Sequence, residues 1–431
     1  QIEFILKEIK MARPNVTVIV NDDSFVISGT ESGGAHRAGY LCAQGATLID
    51  AVGYTADRTN QFMVVDNIND WFGRLKSAAG TGYSAVYGTS ASVGNDQGPF
   101  GGYSGGETAG GNRFAGGTFE RWPNGPTGEW EQDWWNVHNY LQYGGVAVVF
   151  GGTGPGILPA KVKASDKLAT IDSLFGPTDV NNEIATVVGL RNDCVGIVGI
   201  SSDTTPASAA VIPGTSENII HVYGEKKHRN INRVTEDFLV DSDLITSPLT
   251  CDVAGCLART DRLAHQWFSP AGARRGQILD VVKLAKELTD SEQDTLYAAK
   301  INPVVSFAGE GTMLFGDKTG AVATSTLSRI NVARLFVYLK NIIGRAARTI
   351  LFELNDSTTR NLFINAVTPV LRNIQGGRGI TDFRVICDES NNTADIIDSN
   401  QFIADIFIKP TKSVNFVRIR FTNKSESADL G

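Results

Sequence analysis

Two short segments of this chain are apolar at every position, and this constrains the fold more than any other feature. They are Val146–Phe150 and Val195–Ile200, and each is predicted to be a buried strand. The first follows the stretch "DWWNVHNYLQYGG", in which residues from Trp134 to Leu141 recur at helical spacing until Gly144 and its glycine neighbour end the helix. His138 falls on the apolar side of that helix, so we predict a buried histidine and not a catalytic base. The alternation of helix and buried strand predicts an α/β layer. A length of 431 residues suits two or three domains, so we expect a multidomain fold of mixed α+β or α/β class.

The clearest helix pattern lies at residues 330–350, where one side is continuously apolar. Three arginines, Arg334, Arg345 and Arg348, are expected together on its opposite face. The segment from Thr324 to Arg372 holds seven basic and two acidic residues, a net charge of +5 in a chain of net charge −7. Such a stripe indicates either a solvated helix face or a docking face for an acidic protein surface. The apolar side consists of Val332, Leu335, Phe336, Leu339, Ile342, Ile343, Ala346 and Ile350.

Further elements are predicted around this helix. Residues 278–300 favour a helix followed by a short acidic turn. Asn355 or Asp356 can cap the next helix, which should end at Gly376 and Gly377. A strand at 383–387, a short helix near 393–399 and two terminal strands follow.

Residues 80–128 hold 15 of the 46 glycines and are not expected to form a core. We interpret the stretch as a long surface insertion, with low-complexity disorder as the alternative. Five aromatic residues would fix it to the body: Phe100, Tyr103, Phe114, Phe119 and Trp122.

Composition excludes several classes of protein. A net charge of −7 argues against direct binding of nucleic acid by the chain as a whole. No apolar run approaches the roughly 20 residues that a membrane-spanning helix needs, so membrane insertion is not expected. The 5 cysteines are odd in number and scattered, which favours reduced thiols and synthesis in a cytosol. We expect no secretory signal, and Met11 resembles a natural start.

Three stretches resemble enzyme or metal motifs, and each departs from its pattern. "GGTGPG" at 151–156 follows a strand, but Pro155 removes a donor and no helix follows. "GTMLFGDKT" at 311–319 resembles a phosphate loop, but Asp317 occupies the position that needs a lysine. Cys251, Cys256 and His265 lack a fourth ligand nearby. The sequence therefore predicts no catalytic residue, no cofactor and no metal.

Several segments, taken in order, resemble the contractile tail sheath proteins of bacteriophages, which are related to R-type pyocin and type VI secretion sheaths. They include "VAGCLARTDRLAHQWFSPAG" (253–272), "INPVVSFAGEGTMLFGDKT" (301–319), "SRINVARLFVYLKNII…ILFELND", "FRVICDESNNTADIID" and "FIKPTKSVNFVRIRF". "WWNVHNYLQYGGVAVVF" is similar to the helix and strand that precede these in the family. Ala333 replaces the first arginine of the family's Arg-Arg pair, and the insertion has no counterpart.

The resemblance implies a sheath core with extended terminal arms that add strands to neighbouring subunits. In the N-terminal arm, Val16, Val18 and Val20 would pair with a neighbour. In the C-terminal arm, Val417, Ile419 and Phe421 would face the neighbour's core, with basic residues on the other face. The expected organisation is an arm (1–27), an N-terminal α/β domain (28–250) containing the 80–128 insertion, a sheath core domain (251–408), and a C-terminal strand and arm (409–431).

The resemblance further implies a structural protein of the virion tail, made in the cytoplasm of the host bacterium. Its subunits would form stacked hexameric rings around an inner tube protein and contact baseplate and tail terminator proteins. We expect Arg334, Arg345 and Arg348 to face the tube. Two alternatives stay open: the sheath of a bacterial injection device, and a soluble nucleotide-binding enzyme built on residues 146–156.

Overall fold

The computed structural model describes the following residues: 36–41, 62–69, 71, 103–104, 118–119, 129–150, 162, 170–211, 216–229, 244–323 and 325–413. Both predicted arm strands, at Val16–Val20 and Val417–Phe421, lie outside them. So do the 151–156 loop and most of the glycine-rich insertion, within which only two short strands are described.

The strands, in chain order, are β1 Arg37–Leu41, β2 Phe62–Val65, β3 Tyr103–Ser104, β4 Thr118–Phe119, β5 Val146–Phe150, β6 Ser173–Phe175, β7 Val195–Ile200, β8 Ile219–Tyr223, β9 Glu225–Arg229, β10 Leu244–Pro248, β11 Lys283–Leu284, β12 Ile301–Asn302, β13 Val304–Phe307, β14 Gly311–Leu314, β15 Ile380–Ile386 and β16 Asp405–Pro410. The helices are α1 Glu129–Leu141, α2 Asn181–Arg191, α3 Pro206–Ala209, α4 Thr250–Leu263, α5 Asp290–Ala298, α6 Ile330–Thr349, α7 Ser357–Gly376 and α8 Ala394–Asp398.

A seven-stranded sheet of order β12-β8-β7-β6-β1-β5-β2 lies at the centre, parallel except for β2. Every residue of β5 and β7 is buried, as their sequences predict. Alternate side chains of β1 and β5 face different helices: Tyr40 and Val149 share a cluster with α1 and α4, while Leu41 and Val148 share one with α2. Helices therefore cover both faces, which confirms the predicted α/β layer.

A second core lies between α6, α7 and the antiparallel pair β15–β16. The predicted apolar side of α6 is buried at Leu335, Leu339 and Ile343, and Asp356 caps α7 by accepting a hydrogen bond from the Thr359 amide at 2.8 Å. The first turns of α6 contribute Ile330 to the central cluster instead. One helix thus joins the two cores.

One expectation differs from the structure. Residues 278–300 do not begin as a helix: β11 (Lys283–Leu284) pairs with β9, and helix α5 starts only at Asp290, because Thr289 and Glu292 form a capping box there. The acidic residues thus begin a helix instead of ending one. The predicted domain boundary at residue 250 lies at the start of α4, and Cys251 and Leu257 of that helix share a cluster with Trp134 of α1.

Candidate assembly interface

The pair β15–β16 forms a small sheet that carries the end of the described chain. Phe383 lies opposite Ile408, and Val385 lies opposite Ile406. These four side chains pack toward α6 and α7, whereas Arg384, Phe407 and Lys409 on the other face are exposed. Within the described part of the chain, β15 and β16 pair only with each other, so each offers an outer edge to a further strand.

The connection between the two strands is fixed by side-chain amides. Asn392 is 2% exposed, and its amide donates to the Ile403 carbonyl at 2.7 Å while its oxygen accepts from the Ile403 N–H at 2.9 Å. Asn391 donates to the Ile386 carbonyl at 2.9 Å and to Asp405 at 3.0 Å. These hydrogen bonds tie the loop to the end of β15 and the start of β16.

Of the three arginines predicted on one face of α6, only two are exposed. Arg345 and Arg348 lie on the surface at the C-terminal end of the helix. Arg334 is 3% exposed, and its Nη2 lies 2.7 Å from each carboxylate oxygen of Asp261. The expectation that Arg334 shares the exposed face is therefore wrong, because α4 packs over this turn of α6 and supplies a carboxylate.

The turn after α6 continues the exposed surface. Phe352 is 82% exposed and Leu354 is 78% exposed. Phe352 also has a φ of 76°, which is an outlier for an aromatic residue. Together with Arg345 and Arg348 they form a surface that we call the basic end of α6. It combines two cations and two apolar side chains with one exposed acid, Glu353, so its net charge is 2 − 1 = +1. This combination favours an acidic partner that also buries apolar area.

Near the start of α6, charged groups are buried in the seam between α4, α6 and the central sheet. Burial raises the pKa of Asp261 to about 7, with Asp172 adding to the rise and Arg334 opposing it. Burial also raises the pKa of Asp172, whose Oδ2 accepts from the Arg37 N–H at 2.9 Å. His36 is buried beside them, and its pKa is lowered well below the usual value by desolvation and by Arg334. These groups are tied to each other and face away from solvent, as is typical of a structural network.

A second buried network joins β9, α1 and α4. The Lys226 ammonium, in a side chain that is 0% exposed, donates to Asp252 and to the Leu279 carbonyl, both at 2.9 Å. The Tyr143 hydroxyl also donates to Asp252 at 2.9 Å and accepts from the Leu279 N–H at 2.9 Å. Every member is satisfied by another, which makes the network a rigid joint.

The described residues of the stretches that resemble enzyme or metal motifs make structural contacts. Asp317 is 3% exposed and accepts from Arg329 at 2.7 Å. Cys251 and Cys256 are buried thiols whose pKa burial raises, and no set of metal-ligating side chains is found in the described residues. His138 is buried between Trp134 and Trp135, as predicted. None of the helices that the structure describes is long and apolar enough to cross a bilayer.

Sequence reasoning missed the contacts that hold the segments together. Trp267 donates to the Gly377 carbonyl at 2.9 Å, which connects the end of α4 to the end of α7. Asn302 donates to the carbonyls of His221 at 2.9 Å and Lys318 at 2.8 Å. The sequence signal for these contacts was an isolated polar residue inside an apolar segment. That signal indicates a buried hydrogen bond but not its partner.

Comparison with known proteins agrees with this architecture. Residues 175–320 match the family model for the phage tail sheath protein central domain, and residues 322–423 match that for the phage tail sheath C-terminal domain. The tail sheath protein of Vibrio phage KVP40 is 38% identical over 292 residues, which are 64% of this chain and 44% of that protein. The tail sheath protein of Enterobacteria phage T4 is 41% identical over 210 residues, 49% of this chain and 30% of that protein. The chain thus spans less than half the length of these relatives.

Solved structures show the same fold over nearly the whole chain. The sheath of an extracellular contractile injection system, PVC, in its contracted state aligns with a TM-score of 0.64 at 15% identity, covering 97% of this chain and 99% of that one. A chain of the anti-feeding prophage baseplate aligns with a TM-score of 0.63 at 17% identity, covering 96% and 99%. At these identities the likeness concerns the fold alone.

Proposed function

Because the chain belongs to the phage tail sheath family, we propose that it is the structural subunit of a contractile sheath, built of stacked hexameric rings around an inner tube. Contraction would drive the tube through a host envelope. The subunits would repack as rigid bodies from an extended to a contracted state, driven by the difference in interface energy and without nucleotide hydrolysis. The two cores, joined by α6 and by the buried Arg334–Asp261 pair, support movement of the subunit as one body.

The observation that carries the proposal is the small sheet β15–β16. It has an outer edge on each side within the described residues, and the chain leaves it toward a C-terminal segment with alternating apolar side chains. In the proposal, Val417, Ile419 and Phe421 of one subunit and Val16, Val18 and Val20 of another add strands to these edges. Backbone hydrogen bonds would give affinity, and the alternating side chains would give register.

We propose the basic end of α6 as the contact to the inner tube. Arg345 and Arg348 are exposed, and Phe352 and Leu354 lie beyond them on the turn. Arg334 is not part of this surface, because it is paired with Asp261 inside the subunit. Exposed ion pairs contribute about 0–1 kcal/mol each, so contacts of this kind can release when the sheath moves away from the tube.

In this proposal the protein belongs to a virion tail, where the sheath would contact baseplate proteins and tail terminator proteins. The curated relatives come from phages, whereas the structural neighbours come from extracellular injection systems. A bacterial injection device is therefore the second candidate. The identity of the adjacent genes separates the two: capsid and packaging genes indicate a phage, and toxin genes without a capsid gene indicate a device.

Electron microscopy of the purified chain at increasing concentration tests the proposal. The full chain is expected to form tubes or stacked rings, and a truncation ending at Ser413 is expected to stay small, since it keeps the folded body and removes the arm strand. The full chain with Val417, Ile419 and Phe421 replaced by aspartate keeps its length but loses the apolar face of the arm strand. It should therefore stay small, as the truncation does. Monodisperse particles from the full chain at every concentration, together with saturable nucleotide binding, would instead support the soluble enzyme.

A further inference from the structure

The chain beyond β16 is held to the body before the described residues end. The Thr411 N–H donates to the Gly379 carbonyl at 3.0 Å, and the Thr411 carbonyl accepts from the Asn331 amide at 3.2 Å. Two residues later, the Ser413 hydroxyl donates to Oδ2 of Asp317. Lys412, between these contacts, has an exposed side chain. The root of the C-terminal arm, residues 411–413, is therefore fixed on both sides of one exposed lysine.

Asp317 is built into the body and not into the arm. Its other carboxylate oxygen, Oδ1, accepts from Arg329 at 2.7 Å, and its own carbonyl accepts from the Ile330 N–H at 2.9 Å at the start of α6. Arg329 also donates to the Tyr297 hydroxyl at 3.0 Å. A carboxylate that is 3% exposed and already paired with a guanidinium is a fixed acceptor for the Ser413 hydroxyl.

The turn that carries Asp317 is itself tied to the edge of the central sheet. Asn302 of β12 accepts from the Lys318 N–H at 2.8 Å and donates to the Lys318 carbonyl at 2.8 Å. A Cβ on Gly316 would come within 2.7 Å of the Asn302 Oδ1 and 3.0 Å of its Cα, so glycine is required for this close approach. The root of the arm thus lies where the edge of the sheet meets the first turn of α6.

We propose that Asp317 is a latch that holds the root of the C-terminal arm to the body through Ser413. When linked subunits turn against each other, the chain bends after residue 413 and not at the end of β16. The latch itself rests on the described contacts; what the arm links rests on the proposed function. Asp317, which occupies the lysine position of the phosphate-loop pattern, thereby has a role in positioning the arm.

Limited trypsin digestion of the full chain tests the latch, because Lys412 directly precedes Ser413. Proteolysis of a folded protein follows local opening around the bond. Ser413→Ala removes the arm's half of the latch and leaves the body unchanged, and Asp317→Asn removes the charge of the acceptor. For both variants we expect cleavage after Lys412 to be about tenfold faster, as the loss of one charge-assisted hydrogen bond predicts. Mass spectrometry of the product identifies the cleaved bond.

Asp382→Asn is the matched control, since it removes an exposed carboxylate that lies 3.5 Å from Lys409 on the same sheet. Its cleavage rate should equal that of the unsubstituted chain. Equal rates for all the chains would overturn the latch. If Asp317→Asn lowers overall stability, Ser413→Ala still tests the latch, because that substitution leaves Asp317 in place.

The proposed bending of the chain after residue 413, which we call the pivot, is tested separately in assembled tubes. Ser413→Ala tubes should be shorter or less regular than those of the unsubstituted chain in electron micrographs. Tubes of equal length and order, despite faster cleavage, would overturn the pivot. Failure of the unsubstituted chain to form tubes would contradict the proposed function and leave the digestion result valid.

Discussion

Arg334 and Asp261 form a buried ion pair, in which Nη2 of the arginine lies 2.7 Å from both carboxylate oxygens. The two residues are 73 positions apart and belong to α6 and α4. Each also belongs to a segment that resembles the sheath family, "CLARTD" and "INVAR". The pair therefore connects two family segments, and it fixes α6 to the central layer at the point where that helix passes from one core to the other.

Breaking this pair should destabilise the protein strongly. Arg334→Met leaves an unpaired buried carboxylate, and we expect the free energy of unfolding to fall by about 3–5 kcal/mol. Arg334→Met combined with Asp261→Leu should lose much less, because neither member of the pair is left without its partner. Urea unfolding followed by tryptophan fluorescence measures both. Arg345→Met is the matched control, and its exposed side chain should change stability by less than about 0.5 kcal/mol. Equal losses for the single and double variants would refute the role of the pair.

Gly379 is expected to tolerate no side chain. A Cβ there would lie 2.7 Å from Cγ2 of Ile374 and 2.9 Å from Cγ of Trp267. Gly379→Ala should therefore lower the free energy of unfolding by about 1–3 kcal/mol through overpacking. Gly376→Ala is the control, since nothing lies within 4 Å of its Cβ and alanine favours the end of α7. Thermal unfolding of both variants measures the difference, and equal melting temperatures would contradict the close contact with Trp267.

His138 should make the protein less stable in acid. Burial, with a contribution from Lys226, lowers its folded pKa to about 4, whereas the hydrogen bond with Asn139 opposes the shift. Since its unfolded pKa is about 6.5, the unfolded chain takes up the proton first, and stability is lost as the pH falls from about 6.5 to about 4. Between pH 7 and pH 5 this group alone should account for about 2 kcal/mol. His138→Gln should lose correspondingly less over that interval in urea titrations. A parallel pH dependence for both chains would show that His138 does not titrate in this way.

Charge reversal at the basic end of α6 should impair assembly around a tube. Arg345→Glu together with Arg348→Glu would turn attraction for an acidic tube surface into repulsion. We expect co-sedimentation with the tube protein to be lost, while the isolated chain keeps its melting temperature because both side chains are exposed. The control is Arg372→Glu with Arg378→Glu, which changes the net charge by the same amount elsewhere on the surface. This variant should bind the tube protein normally. Unchanged binding by the first variant would remove this contact from the proposal.

Local patterns were sufficient for the elements that bury a defined face. The period of 3.6 residues at 330–350 and the all-apolar runs at 146–150 and 195–200 led to α6, β5 and β7, because such patterns specify which side of an element is buried. At 278–300 the same reasoning failed. There, pairing of Lys283–Leu284 with β9 and the capping box at Thr289 determined the structure.

The sequence by itself therefore determined the fold class, most of the long elements and, through ordered segments, the family resemblance. The tertiary structure decided the strand order, the burial of Arg334 against Asp261, and the attachment of Ser413 to Asp317 across 96 positions. The physical reason is that periodicity indicates which face of a helix or strand is buried. It does not indicate which partner will pair with a charge or a hydroxyl on that face. That partner comes from whichever element the topology brings alongside, and only the folded chain shows it.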